Sequence, residues 1–296
     1  MKRIVLFLLT NLAVMLSLAV VLAVVTVLFG EQTQELFGAW SGLVLVALVY
    51  GVGASLVSLL LSKPIAKLST GAKVVTGEEG EAERWLVSTV EDLARRAGIG
   101  MPEVAIYPGA ANAFATGAFR NSALVAVSTD IMGQMSKEEL RAVLGHEISH
   151  VANGDMVTLC LVQGVLNAFV IVFSRVLASA AANAGEGGRR RSNPAVYYAV
   201  YFITQIVFSL LATLIVCAFS RRREFAADAG SARLLGTPSS MAAALRRLGN
   251  LQPGVLPDSI RAFGIASGKR HASLFATHPS IEDRIDALNH LEFRGV

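Results

Sequence analysis

The residues best suited to chemistry are His146, Glu147 and His150, which form the sequence HEISH, an HExxH motif. Residues four apart on a helix lie on one face, so the two imidazoles can bind the same metal ion. Glu147 then lies beside bound water, whose pKa a zinc ion lowers to about 7, and its carboxylate can accept the proton as the water attacks a peptide carbonyl. The spacing therefore predicts a peptidase with one Zn²⁺ per chain and Glu147 as its general base.

A third metal ligand is expected further along the chain, because a catalytic zinc ion takes three protein ligands and keeps a fourth position open. Glu224 and Asp228 lie four residues apart in the sequence RRREFAAD and would share a helical face. Glu224 can then bind the metal while Asp228 accepts a hydrogen bond from a ligand histidine. The alternative is an ion pair between Glu224 and the preceding arginines, and it is the presence of the HExxH motif that favours the metal site.

Long apolar runs alternate with the segments that carry these residues. Hydrophobic residues make up 53% of the 296 positions and charged residues 16%, against about 25% charged in soluble domains. Four stretches contain no charged residue, and each has at least the roughly 18 residues expected of a membrane span: 4–30, 37–61, 156–174 and 194–220. Any one of them could be a buried core helix, but four together predict a multi-pass protein in a lipid bilayer.

The order of these runs agrees with the metal site. Both histidines precede the third run and Glu224 follows the fourth, so two crossings return the chain to the same face of the membrane. Basic residues at 2–3, 63, 67 and 221–223 flank the runs and predict that this face is cytoplasmic. Arginines at 189–191 would lie on the opposite face, against the same statistical tendency. We expect the shared zinc ion to outweigh that tendency; the alternative is a shallow pair of helices that never crosses the bilayer.

The segments between the runs predict a small catalytic domain that is divided in two. Helices are expected at 81–97 and 137–152, strands at 103–107 and 123–128, and further helices at 221–235, at 239–248 and from about 280. The predicted fold is α+β and mostly helical, with four transmembrane helices and a split, zincin-like cytoplasmic domain. Its parts are a transmembrane hairpin at 1–62, the first catalytic part at 63–155, a second hairpin at 156–220 and the second catalytic part at 221–296.

Three other classes of function fit the sequence less well. The formal charge of +4 comes largely from basic residues at membrane boundaries, which disfavours a nucleic-acid partner. A transporter or channel is expected to place ionisable groups inside its spans, and the four apolar runs have none. A purely structural zinc site uses a closed set of ligands and needs no base such as Glu147 beside the metal.

Longer motifs show a family resemblance over essentially the whole chain. They are FLLTNLAVM at 7–15, NAFATG at 112–117, HEISHVANGDMVT at 146–158, SRRREFAADAGSA at 220–232 and THP at 277–279. In these motifs the chain resembles the HtpX-type membrane zinc metalloproteases, which are relatives of the CAAX prenyl proteases. The resemblance implies that Glu224 is the third zinc ligand. It also implies protein substrates, namely damaged or misassembled membrane proteins of the bacterial inner membrane.

The resemblance further implies roles for residues outside the metal site. An edge strand that binds substrate by strand addition is expected from four residues: Asn112, Ala113, Phe114 and Ala115. A turn between strands is the alternative for this segment. His278 lies in the pattern HPxxxxR, which Arg284 completes, and is expected to be catalytic by stabilising the oxyanion, with support from Arg284. The alternative for His278 is a residue at the entry of a helix.

Overall fold

The structure is a computed structural model that describes residues 46–47, 49–182, 193–251, 265 and 276–291. Five features named above lie outside the described residues: the basic residues at 2–3, the apolar run at 4–30, the start of the run at 37–61, the FLLTNLAVM motif and the arginines at 189–191. The described chain forms two compact units. Of the described residues, the first unit contains those up to Ser58 and those from Cys160 to Val216, and the second contains Leu59–Leu159 and those from Cys217 onward.

Apolar helices make up the first unit. Most of helix α1 (Val49–Leu60) lies in this unit, and it is followed by α2 (Ser62–Thr70), which belongs to the second unit. The first unit also contains most of the long helices α6 (Asp155–Ala182) and α7 (Pro194–Leu235). Among the described residues, α6 and α7 are each long and apolar enough to cross a membrane, and a third span results if α1 and α2 are counted as one bent span. The predicted total of four spans stays a prediction.

Helices α6 and α7 pack together as a hairpin within this unit. The main-chain N–H of Asn193 donates to the carbonyl of Ala182 at 3.2 Å, and the rings of Phe173 and Phe208 lie 6.1 Å apart. The helix predicted at 221–235 is confirmed with its end at Leu235, but it is the continuation of α7 and not a separate helix after the apolar run. No proline occurs between 195 and 235, so nothing in the sequence ends the helix after the apolar run.

A four-stranded sheet forms the centre of the second unit. Its strands are β1 (Lys73–Val74), β2 (Glu103–Tyr107), β3 (Ala113–Thr116) and β4 (Leu124–Ser128). They lie in the order β1-β2-β4-β3, with β2 and β4 parallel and the other two pairs antiparallel. Strand β3 is an edge strand because it lies at one end of this order. Every residue of β3 and β4 is nevertheless buried, so this edge lies inside the protein.

Helices cover this sheet and bury α5 among them. The helices against the sheet are α2, α3 (Glu81–Ala97), α4 (Thr129–Gln134) and α5 (Lys137–Asn153), while α8 (Pro238–Asn250) packs on α5 and α9 (Ile281–Asn289) packs on α8. Helix α5 packs against α3, α8 and β3. It begins with a capping box formed by Ser136 and Glu139, and it ends at Gly154, whose φ of 70° is left-handed. The HExxH motif therefore lies on a helix in the interior.

Candidate active site

Three side chains from two helices converge in the second unit. His146 and His150 lie one turn apart on α5, and Glu224 lies on α7. The two histidine Nε2 atoms lie 3.1 Å apart, and the carboxylate oxygens of Glu224 lie 3.5 Å from Nε2 of His146 and 3.4 Å from Nε2 of His150. All three side chains are buried. The structure thus brings together the three residues predicted to bind the metal.

These distances fit a zinc ion. Ligand atoms bound at about 2.0–2.1 Å in a tetrahedral arrangement lie about 3.3 Å from one another, and the three distances found in the cluster run from 3.1 to 3.5 Å. One carboxylate oxygen of Glu224 has no hydrogen-bond partner among the described residues, as expected of an atom reserved for a metal. Two histidines and a glutamate are also a donor set that catalytic zinc uses.

Carboxylates fix the orientation of both imidazoles. Nδ1 of His146 lies 2.9 Å from Oδ1 of Asp228, and Nδ1 of His150 lies 2.6 Å from Oδ2 of Asp155. A hydrogen on each Nδ1 leaves the lone pair on Nε2 for a metal. Asp228 lies where the sequence predicted it, whereas Asp155 was missed. It follows Gly154, beyond the end of α5, where helical spacing gives no signal.

Arg284 and His278 complete the buried polar cluster. The guanidinium of Arg284 donates to both carboxylate oxygens of Asp228, from Nε at 2.8 Å and from Nη2 at 2.7 Å, and its Nη1 lies 3.6 Å from Glu224. Nδ1 of His278 lies 2.9 Å from Oε2 of Glu224, which is an ion-pair distance without the angles of a hydrogen bond. Both residues predicted to support the oxyanion therefore lie beside the metal-binding cluster.

Glu147 is buried next to the two histidines. Its side chain is almost fully enclosed, and neither carboxylate oxygen has a hydrogen-bond partner in the described part of the chain. Burial raises the pKa of Glu147 above its usual value, and the positive charge of His146 and His150 offsets part of that rise. A carboxylate in this environment is suited to accept a proton and to give it back.

The surrounding carboxylates make the cluster favourable for a cation. Burial alone would lower the pKa of His150, but its hydrogen bonds with Asp155 and Glu224 raise that pKa to about 10. The pKa of His146 is also raised: burial alone would lower it, but the hydrogen bond with Asp228 and the nearby carboxylate of Glu224 outweigh burial. A divalent ion bound between the imidazoles would balance the charge of these carboxylates.

Small residues set the close approach of α5 and α7. A Cβ atom added to Gly230 on α7 would lie 2.5 Å from Oγ of Ser149, and one added to Gly145 on α5 would lie 2.8 Å from Oγ of Ser231. The two serine hydroxyls each donate to a main-chain carbonyl of α5 at 2.7 Å. These reciprocal glycine–serine contacts allow α7 to lie close to α5, so that Glu224 on α7 reaches His146 and His150 on α5.

We expect Gly230→Ala to weaken zinc binding by about tenfold, because overpacking of about 1–3 kcal/mol must be relieved by moving α7 away from α5. Ser149→Gly in the same chain should restore part of the affinity, since it removes the clashing atoms. Zinc affinity is measured by competition with a chromophoric chelator. The control is Gly133→Ala, where an added Cβ meets nothing within 4 Å. Equal affinities of the two alanine variants would contradict the expectation.

Strand β3 contains most of the segment predicted to bind substrate. The predicted residues are all buried: Asn112, Ala113, Phe114 and Ala115. The N–H of Ser128 donates to the carbonyl of Asn112 at 2.9 Å, so Ala113, the next residue, turns its carbonyl away from β4. That carbonyl accepts a hydrogen bond from the N–H of Ile265 at 3.0 Å. The edge strand is confirmed for Ala113–Thr116, and its contact with substrate stays a prediction.

The HExxH helix packs against the edge strand of a sheet, and a later helix places a carboxylate beside both histidines. This arrangement defines the class of the protein as a metallopeptidase. Peptidase family M48 matches residues 81–292. The chain is 50% identical over 293 residues to "Protease HtpX homolog" of Janthinobacterium sp. (strain Marseille), which covers 99% of this chain and 100% of the relative. The chain belongs to peptidase family M48.

Two further comparisons agree with this assignment. The chain is 51% identical over 291 residues to "Protease HtpX" of Xanthomonas campestris pv. campestris (strain 8004), with 97% of each chain covered. The crystal structure of S. mikatae Ste24p shares the fold, with a TM-score of 0.58 at 18% identity; the match covers 95% of this chain and 65% of that one. The family resemblance inferred from the sequence motifs is therefore confirmed, and the protein is a metalloprotease with apolar helices of membrane-spanning length.

Proposed function

We propose that this protein is a zinc metalloendopeptidase that hydrolyses peptide bonds of damaged or misassembled membrane proteins at the cytoplasmic face of the bacterial inner membrane. The observation that carries the proposal is the cluster of His146, His150 and Glu224, whose ligand atoms lie within 4.8 Å of one another. Beside this cluster lies Glu147, a buried carboxylate without a hydrogen-bond partner among the described residues. A zinc ion that only held two segments together would need no such base.

Glu147 moves the protons of the reaction. Zinc held by His146, His150 and Glu224 would act as a Lewis acid on a water molecule and on the substrate carbonyl. The carboxylate of Glu147 takes a proton from the attacking water and returns it to the leaving amine. Among the described residues no side chain donates a hydrogen bond to its oxygens, and the main chain of Ala115 lies close enough to favour the charged form.

His278 is proposed to stabilise the oxyanion. Its Nε2 has no hydrogen-bond partner in the described part of the chain, and an imidazole N–H can donate to the developing negative charge. The helix-entry alternative is weakened because Ser280 caps α9, its hydroxyl accepting from the N–H of Asp283 at 3.0 Å. Arg284 supports the site through its two hydrogen bonds to Asp228.

Substrate is proposed to bind along β3 as an additional strand. An extended peptide can pair with the main chain of an edge strand, and β3 packs against the helix that carries Glu147. Since the carbonyl of Ala113 already accepts from Ile265, a substrate strand that pairs at this residue replaces that hydrogen bond. Membrane proteins are favoured as substrates because the site lies close in sequence to the apolar runs. Glu224 comes four residues after the end of the fourth apolar run, 194–220.

The cytoplasmic location of the site gives a testable topology. We expect a single cysteine at Gly187, which lies outside the described residues, to be labelled in intact cells by a membrane-impermeant reagent, because the loop after α6 is on the opposite side of the membrane. The variant also lacks Cys160 and Cys217. A matched single cysteine at Asp130, an exposed residue of α4, should be labelled only after the membrane is opened. The reverse pattern would place the site outside the cytoplasm.

A further inference from the structure

A hydrogen-bonded bridge at the corner between α5 and α6 joins two of the candidate metal ligands. Asp155 is the first residue of α6, and its Oδ2 lies 2.6 Å from Nδ1 of His150. Its main-chain carbonyl accepts a hydrogen bond from Nη1 of Arg223 at 2.6 Å. Arg223 directly precedes Glu224 on α7. Asp155 and Arg223 are both buried, each 7% exposed.

The turn at Gly154 makes this bridge possible. On an uninterrupted helix, residues five apart point about 140° away from each other, so the side chain at 155 could not reach His150. Gly154 has a left-handed φ of 70° and ends α5. The chain changes direction there, and the carboxylate of Asp155 returns to the imidazole. The contact therefore depends on a local backbone feature, which helical periodicity does not show.

We propose that Asp155 is a positioning residue for the metal site, that it holds the ring of His150, and that Arg223 fixes Asp155 in place. This rests on the proposed zinc function of His150 and Glu224. A carboxylate that accepts from Nδ1–H fixes the tautomer and the rotation of the ring, so that Nε2 faces the metal, and it makes that nitrogen a stronger donor. The bridge also ties the segment before Glu224 to the end of the histidine helix.

The other histidine has a comparable support built from different contacts. His146 is held by Asp228, and Arg284 grips the carboxylate of Asp228 with two hydrogen bonds. In the bridge at the corner, the arginine binds the main chain of Asp155 instead of its side chain. Each histidine ligand thus has its own aspartate, and each aspartate has its own buried arginine. Loss of Asp155 should affect His150 while the support of His146 stays intact.

The test uses the full-length protein in detergent and measures zinc affinity by chelator competition, together with the visible spectrum of the cobalt-substituted protein. We expect Asp155→Ala to weaken zinc binding about 10- to 100-fold and to shift the cobalt bands, because His150 loses its fixed orientation. Asp155→Asn keeps the shape and an acceptor oxygen, so its affinity loss should be smaller. Arg223→Met keeps the apolar stem without the donor and should shift the bands in the same direction. The control is Asp130→Ala, at an exposed aspartate.

The outcomes separate this proposal from the proposed function. Failure of the wild type to bind zinc, or equal binding by His150→Ala, would reject the metal site itself. If the wild type binds zinc and Asp155→Ala matches Asp130→Ala in affinity and in cobalt spectrum, the positioning role is overturned. Should Asp155→Ala fail to fold, the folded Asp155→Asn protein decides the question. A band shift in its cobalt spectrum supports the role, and a wild-type spectrum overturns it.

Discussion

Glu147→Gln is expected to bind zinc as tightly as the wild type and to lose peptidase activity by about 10²- to 10⁴-fold. The amide has the size of the carboxylate but cannot accept the proton of the attacking water. The metal should remain, because the candidate ligand atoms belong to His146, His150 and Glu224. The measurement compares turnover of a protein substrate with zinc content by atomic absorption. Retention of more than about a tenth of wild-type turnover would remove Glu147 from the role of general base.

His278→Ala provides a comparison for the same assay. Its zinc content should stay at the wild-type level and its turnover should fall, because the residue is proposed to stabilise the oxyanion and not to bind the metal. Zinc retention is the informative part of the result, since Nδ1 of His278 lies 2.9 Å from Glu224. Normal turnover in this variant would return His278 to a structural role ahead of α9.

Glu224→Ala is expected to release the zinc ion from the purified protein. A ligand is lost outright, so the affinity should fall by more than the roughly 10- to 100-fold seen when an outer-shell partner is removed. The change also removes a carboxylate that lies 3.5 Å from His146 and 3.6 Å from Arg284, although both keep their contacts with Asp228. Zinc content after gel filtration in a competing chelator is the measurement.

A matched carboxylate elsewhere makes the effect of Glu224 specific. Glu91→Ala changes an exposed glutamate on α3 and should keep its zinc. Glu224→Gln preserves the shape of the side chain, and because a neutral amide is a weaker ligand it should lie between the alanine variant and the wild type. Equal zinc retention in Glu224→Ala and Glu91→Ala would remove Glu224 from the set of ligands.

Local patterns in the sequence predicted several elements with accurate bounds. The helix at 81–97 and the strand at 103–107 are confirmed as α3 and β2, because helical periodicity and a short apolar run between turn residues are local signals. Helix α4 and strand β1 have six and two residues, too few for any periodicity to show. The order β1-β2-β4-β3 and the parallel pairing of β2 with β4 depend on contacts between distant segments, which local patterns do not contain.

The candidate site shows the same division between local and distant signals. Helical spacing placed His146 and His150 together, and the same rule placed Glu224 with Asp228. Asp155 escaped it because the contact depends on the left-handed turn after α5. A glycine inside a helix lowers helix propensity, and the sequence alone gives no reason for one at position 230. The structure gives the reason, because a Cβ atom at Gly230 would collide with Ser149 on α5.

Removal and return of zinc in the wild-type protein is the most direct test of the central claim, that this chain cleaves peptide bonds with a metal held in the cluster on α5 and α7. We expect the purified protein to contain one zinc ion per chain, to lose proteolysis when the ion is removed, and to recover it when one equivalent of zinc is restored. Unchanged proteolysis by protein whose metal has been shown to be absent by atomic absorption would contradict the claim.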